Sequence, residues 1–189
     1  MLLSSVLFLT RVWGEDVLTA GLQIAPGPLA AACFAIPAGL VANRVGQRPL
    51  AVLGALLFAA GALLRFGLGA QPNYAAGFLP SMVIGGAGVG LVIPTLASAA
   101  AASLPPARFA TGSAVYGMVR QIGIALGVAL LIAVLGTPVP SDAVSTFQRA
   151  WILMLVTGLV AAAVALGIRR PRAVVEPVAA PVVDVVLSA

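Results

Sequence analysis

The chain has 189 residues, of which 61% are hydrophobic and only 8% are charged, and its formal net charge is +5. A soluble domain carries about 25% charged residues, so this composition excludes an ordinary water-soluble fold and predicts an all-α integral membrane protein. All ten cations are arginines that stand singly or beside apolar runs, which argues against binding to nucleic acid.

The inventory of reactive side chains is small. The chain lacks histidine and lysine, and its one cysteine, Cys33, lies in an apolar run. Histidine and clustered cysteines are the usual acid–base groups and metal ligands of proteins. We therefore expect no enzymatic activity, no metal site and no cofactor.

The first apolar segment, residues 1–10, is about half as long as a membrane span. It lacks the basic start and the small-residue cleavage site of a signal peptide. We expect it to be a truncated helix. The chain is then a fragment of a longer protein or has a misplaced start.

Five further segments are long enough to cross a bilayer, which takes about 20 apolar residues. The predicted spans are residues 17–42, 50–69, 74–102, 111–136 and 150–168. Together with residues 1–10 they predict a transmembrane bundle over residues 1–172. Residues 173–189 have low complexity and several prolines, which predicts a disordered tail.

The arginines predict the orientation of the bundle. One side would hold six arginines with no acid nearby: Arg44, Arg48, Arg108, Arg169, Arg170 and Arg172. The other side would hold Arg11, Arg65 and Arg149, together with Glu15, Asp16 and Asp142. Because uncompensated cations favour the cytoplasm, the first side and the carboxy terminus are expected there, in a multi-pass protein of the plasma membrane.

The most specific string is G-L-V-A-N-R-V-G-Q-R, which begins at Gly39 and ends at Arg48. Its glycines, including Gly46, permit tight turns, and Arg44 and Arg48 suit headgroups or helix ends. An ordinary positively charged loop is one interpretation. However, the string resembles the cytoplasmic-loop motif G-x-L-x-D-R-x-G-x-R of the major facilitator superfamily, which implies a gating role. Asn43 stands where that family usually has aspartate.

Two other stretches, residues 13–26 and 86–123, resemble the fourteen-span drug:proton antiporters (EmrB/QacA type) of that superfamily. The resemblance covers about residues 3–168. It implies a carboxy-terminal six-helix bundle with a truncated first helix. The implied function is part of a secondary-active efflux permease, which exports drugs or other small molecules by proton antiport and alternating access.

The third full span carries Gly86 and Gly90, a spacing that lets another helix approach closely. Pro94 follows and removes a backbone hydrogen bond. These residues predict a bent, closely packed helix. Lining of a central cavity and simple packing are both open interpretations.

Arg120 is the one ionisable residue well inside a predicted span, and Gln121 stands beside it. Gly123 and Gly127 share its helix face, so we expect this face to meet protein or a cavity. A gating or substrate-cavity cation is one interpretation, and a snorkelling side chain is the other. Arg65, near the end of its span, is expected to snorkel, and Trp13 and Trp151 are expected to anchor at the membrane interface.

No carboxylate lies inside a predicted span, although proton coupling usually needs one. We therefore expect the coupling group in a missing amino-terminal half, which would be the partner of this chain beside the lipid bilayer. The expected substrate is small and apolar or amphipathic, because the spans offer few charges. A non-transporting partner subunit or a non-functional fragment is the alternative.

Overall fold

The computed structural model describes residues 1–69, 71–102, 108–136 and 143–168. All regular elements within these ranges are helical, which confirms the predicted all-α class. The α-helices are α1 Leu2–Arg11, α2 Val17–Ile24, α3 Pro26–Val45, α4 Gln47–Leu64, α5 Leu79–Ala102, α6 Phe109–Leu135 and α7 Ala143–Ala165. A 3₁₀ turn over Arg65–Gly67 ends α4, and a π-helical turn over Tyr74–Phe78 leads into α5.

Five helical segments of the described chain are long and apolar enough to cross a membrane, and they make this an integral membrane fold. They are Val17–Ala42, Gln47–Gly67, Tyr74–Ala101, Phe109–Leu135 and Val144–Ala165. The remaining apolar helix, α1, has ten residues and is too short to cross by itself.

The segment predicted as one span over residues 17–42 is divided. α2 ends at Ile24, and α3 begins at Pro26 and continues to Val45. Proline has no backbone N–H and crowds the preceding turn, so it fits the first position of a helix better than its interior. Pro26 therefore starts a second helix within the same membrane-length segment.

One residue connects α3 to α4. Gly46 follows Val45, has a φ of +99°, and is followed at once by Gln47 of α4. α4 thus begins three residues before the predicted boundary at Leu50. Pro49 is compatible with this early start, because the N–H groups of a first helical turn have no partner within the helix.

The predicted break over residues 137–149 is too long, because α7 already begins at Ala143 instead of Ala150. Its added turns carry Phe147, which is completely buried and shares a stripe with Ala150, Trp151 and Met154. The buried stripe extends the helix beyond the hydropathy peak. The predicted tail, residues 173–189, lies outside the described residues.

α5 lies at the centre of the bundle, between α3 and α4, and α7 packs on the far side of α4. Glycines set this spacing. A Cβ added at Gly61 of α4 would lie 2.7 Å from Gly85 Cα of α5, and one at Gly54 would lie 2.8 Å from Gly88 O. Real side chains do not reach such distances, so the backbones of α4 and α5 touch directly.

An aromatic cluster closes one end of the bundle, opposite the α3–α4 turn. The aromatic cluster consists of Phe8, Trp13, Phe78, Phe147 and Trp151. The Phe8 ring meets Trp13, Phe147 and Trp151 edge to face, with centroids 5.2–5.4 Å apart. Trp151 is only 1% exposed, so the expectation that it anchors at the interface is wrong. It is a core residue, because the rings of Phe8 from α1 and Phe66 from the 3₁₀ turn pack edge to face against it.

Candidate functional site

The string from Gly39 to Arg48 forms the turn between α3 and α4. Arg44 lies in the last turn of α3 and Arg48 in the first turn of α4, and both side chains are exposed. Gly46 has the positive φ that L side chains rarely adopt, which accounts for glycine at this position. Asn43 belongs to α3, and no neighbouring atom lies within 4 Å of a Cβ placed at Gly39. The two cations therefore flank a rigid corner.

Gly86 and Gly90 of α5 face α3. A Cβ at Gly86 would overlap the carbonyl oxygen of Gly27, and one at Gly90 would overlap that of Ala31. The two glycines thus allow the backbones of α3 and α5 to meet. Pro94 lies inside α5, one turn further along.

Arg120 and Gln121 are exposed on α6, as are Gly123 and Gly127. In the part of the chain that the structure describes, no atom lies within 4 Å of a Cβ placed at either glycine. Arg120 is therefore not brought together with the α3–α4 corner or with the glycines of α5. Its expected contact with protein or a cavity would have to come from outside the described residues.

Two cavities lie along α5. A cleft of about 460 Å³ separates the end of α5 from the start of α6 and is bordered by Arg108, Thr111 and Tyr116. The Tyr116 hydroxyl donates to Ile93 O of α5 at 3.2 Å. A second cavity of about 220 Å³ lies between α4, α5 and α7, and Thr157 is the one polar side chain among its described lining residues. These spaces offer apolar contact and very few charges.

The described carboxylates lie outside the candidate spans. Asp16 caps α2 by accepting hydrogen bonds from the N–H groups of Leu18 and Thr19, at 3.2 and 3.3 Å. Hydrogen bonding to Thr19, first by its side chain and then by its N–H, holds the pKa of Asp16 below its ordinary value. Glu15 accepts from Gln23 Nε2 at 3.4 Å. Asp142, Glu176 and Asp184 lie outside the described residues, so no described carboxylate stands within a membrane-length helix.

Arg65 differs most from the sequence-based expectation. Its side chain is 1% exposed and does not snorkel, so that prediction is wrong. Nη2 donates to Met82 Sδ at 2.9 Å, and the guanidinium carbon lies 5.7 Å from the centroid of Phe78. Nε has no hydrogen-bond partner among the residues that the structure describes. The 3₁₀ turn at the end of α4 directs the side chain inward.

A signal for this burial was present in the sequence. Arg65 follows Gly61 by four residues and Ala62 by three, so it shares the face of α4 on which small residues pack. Both of those small residues are buried. A cation that continues a small-residue face is directed towards neighbouring helices, whereas hydropathy alone places it at a span end.

The family model described as Major Facilitator Superfamily matches residues 1–186. A multidrug resistance protein B homolog of Mycobacterium tuberculosis is 30% identical over 125 residues, which are 66% of this chain and 23% of that protein. A triacylglyceride transporter of Mycobacteroides abscessus is 37% identical over 106 residues, 51% of this chain and 21% of that protein.

A further similar protein is a triacylglyceride transporter of Mycolicibacterium hassiacum. It is 34% identical over 137 residues, which are 65% of this chain and 26% of that protein. The matched part of this chain thus spans between 21% and 26% of the length of these curated relatives.

Proposed function

The chain belongs to the major facilitator superfamily, and we propose that it forms part of a secondary-active efflux permease and is incomplete by itself. The observation that carries the proposal is the family match over residues 1–186, on a chain with five membrane-length helices. We assign it to the fourteen-span drug:proton antiporter branch, as the carboxy-terminal half. The short share of each relative that it spans supports the need for a second half.

The proposed mechanism is alternating access, in which one bundle rocks against another around a central site. The contacts of α5 support a rigid bundle, because its glycines bring it into backbone contact with α3 and α4. α6 has an exposed face that such a partner bundle would cover. The partner is therefore the amino-terminal half, and the bilayer surrounds the remaining surface.

The proposed substrate is a small apolar or amphipathic molecule. The cavity between α4, α5 and α7 supports this, because its walls are almost wholly apolar. The names of the relatives, which mention multidrug resistance and triacylglyceride transport, point to cargo of the same general chemistry.

Coupling to protons would depend on the other half. Asp16 is an exposed helix cap, and Glu15 precedes the same helix, so neither is placed inside a span. Arginine stays protonated and cannot cycle a proton. We therefore propose that the titrating carboxylate is contributed from outside the described residues.

The proposed orientation places Arg44, Arg48 and Arg108 in the cytoplasm, together with the carboxy terminus, in the plasma membrane. In this arrangement the α3–α4 corner is a cytoplasmic gating element. Arg120 would act from α6 on the substrate cavity or on the partner bundle, with Gln121 beside it.

Co-expression tests the proposal. The chain, produced together with the amino-terminal half of the multidrug resistance protein B homolog, should restore drug efflux to a strain that lacks its own pumps. Arg44→Ala and Arg120→Ala should each lower efflux by about tenfold, the usual loss for a positioned charged contact. Efflux is measured as the rate at which a fluorescent drug leaves preloaded cells.

Arg11→Ala is the matched control, because Arg11 is equally exposed but lies at the other end of the bundle. It should leave the rate unchanged. Membrane fractions must contain equal amounts of all variants. Parental efflux rates in both Arg44→Ala and Arg120→Ala would overturn the assigned roles, and no efflux from any pairing would overturn the transport function.

A non-transporting partner subunit is the second candidate. The observation that favours it is the absence of a carboxylate from the membrane-length helices of the described chain. It predicts that the chain co-purifies with an intact transporter without changing the turnover of that transporter. An efflux rate that depends on Arg120 would exclude the non-transporting subunit.

A further inference from the structure

Arg65 is a buried cation with no counter-ion among the described residues. It contacts the thioether of Met82 and the face of the Phe78 ring, and its Nε has no partner within the described part of the chain. A thioether is a weak hydrogen-bond acceptor, and an aromatic face recovers only part of the hydration that an arginine loses on burial. The guanidinium therefore keeps unused capacity to bind an anion.

A second polar group faces the same sulfur. Ser5 Oγ is buried, donates to Met1 O at 2.9 Å and lies 3.7 Å from Met82 Sδ, while Arg65 Nη2 lies 2.9 Å from that sulfur. The Ser5 hydroxyl can rotate from Met1 O to a stronger acceptor in place of the sulfur, so donors from α1 and from the end of α4 can converge on one group there. This convergence is what a site for a small anionic group requires.

The Met82 side chain is able to move away from Arg65 and Ser5. It has three rotatable bonds and a soft, adaptable end. The Met82 methyl group packs against Gly27 of α3. A Cβ placed at Gly27 would lie 2.8 Å from that methyl, so a larger residue at position 27 would occupy the space of the Met82 side chain. The methylthio end is similar in size to a carboxylate, which can therefore replace it between Arg65 and Ser5.

The surroundings determine the rest of the ligand. Phe8, Phe78 and Trp151 are buried on the same side of the bundle, and no described acidic residue stands among them. This apolar lining favours a ligand with an apolar body, whereas a polyanion would bring more charge than one guanidinium offsets. From these contacts we propose that Arg65 and Ser5 form a binding site for the carboxylate of an apolar, monovalent organic acid, with Met82 as the occupant that it displaces.

A free acid fits better than an acidic side chain of a partner bundle. Arg65 is covered by residues of its own chain, so a helix that packs on the outside of the bundle reaches only exposed residues. The 3₁₀ turn that carries Arg65 follows α4, at the end of the bundle where the aromatic cluster lies. A small molecule can enter there by local opening of this turn.

The chain offers an intrinsic probe for the test. Its two tryptophans, Trp13 and Trp151, both belong to the aromatic cluster, and Trp13 lies 5.8 Å from the Phe78 ring that Arg65 contacts. A terminally brominated undecanoate quenches tryptophan at short range. The matching brominated undecanol has the same chain without the charge.

The full chain, in nanodiscs of zwitterionic lipid at neutral pH, should show saturable quenching by the brominated undecanoate. Arg65→Gln should weaken the apparent affinity for the acid by about tenfold or more and leave quenching by the alcohol unchanged, because a hydrogen bond to a charged group is lost. Ser5→Ala should weaken it by about threefold. Arg149→Gln removes an exposed arginine from the same end of the bundle and should have no effect.

Circular dichroism checks that each variant is helical, and if Arg65→Gln does not accumulate as folded protein, Ser5→Ala carries the test. Parental affinity for the acid in the variants, or an equal loss in Arg149→Gln, would overturn the site. The assay measures binding without transport, so it can succeed or fail independently of the efflux experiment.

Discussion

α5 and α6 carry the same small-residue spacing in opposite surroundings. Gly86 and Gly90 of α5 are buried against the carbonyl groups of α3. Gly123 and Gly127 of α6 have the same four-residue separation, yet no described atom lies within 4 Å of a Cβ at either position. In α6 the buried residues are Gly112, Leu131 and Leu135, and of these only Leu131 lies within one helical turn of either glycine.

The difference teaches that the spacing permits close approach but does not cause it. α5 has small residues opposite its own, such as Gly27 and Ala31 on α3 and Gly54 on α4. Lipid tails are as apolar as leucine, so helices associate in a membrane only where their surfaces fit better than lipid does. α6 meets no such surface within the described chain, and its outer residues, such as Met118 at 60% exposure, are left for lipid or a partner.

The largest effect on stability is expected for Gly90→Val in α5. The added side chain would overlap the carbonyl of Ala31, and α3 and α5 would have to separate. Overpacking of this kind costs about 1–3 kcal/mol, and more where backbone must move. Thermal unfolding of the chain in detergent should show a clear decrease in Tm, and an unchanged Tm would contradict the direct contact of the two backbones.

An intermediate effect is expected for Tyr116→Phe. The phenol hydroxyl donates to Ile93 O and ties α6 to α5, so its loss should cost about 0.5–1.5 kcal/mol. The loss should appear as faster amide hydrogen exchange in the first half of α6, with exchange in α4 unchanged. Ser113→Ala is a suitable control, because its hydroxyl bonds within α6 to Ala110 O. Equal exchange in the two variants would show that the tyrosine does not hold the helices together.

The smallest effect on stability is expected for Gly127→Val in α6. The new side chain has open space, so the Tm of the chain should change by an amount equivalent to about 0.5 kcal/mol or less. Together with an amino-terminal half, the same variant should lower efflux if α6 forms the contact between the halves. A decrease in Tm as large as that of Gly90→Val would remove the contrast between the two helices.

The fold class followed from hydropathy and length, because the free energy of a membrane span is summed over about 20 residues and tolerates local irregularities. Boundaries were harder to predict. Pro26 begins a new helix inside a continuous apolar run, and α7 starts early because Phe147 has a buried place to occupy. Both depend on packing that a hydropathy pattern does not contain.

Some candidate residues could be recognised from the sequence, and others were assigned to the wrong surroundings. Gly86 and Gly90 could be recognised by their spacing, although only the structure shows which helix they meet. Arg65 and Trp151 were assigned to the interface because charged and aromatic residues at span ends usually lie there. The burial of Trp151 depends on rings contributed by distant parts of the chain, which local sequence does not encode, whereas the small residues Gly61 and Ala62 did indicate the buried face of Arg65.

The single-residue junction at Gly46 has a mechanical consequence. α3 ends and α4 begins on either side of one glycine, so no loop residues lie between the two helices to absorb a rotation of one against the other. A torque applied to α3 must pass directly into α4. The bond after the exposed Arg44 should also resist trypsin, because proteases bind extended backbone and this backbone is helical on both sides of Gly46.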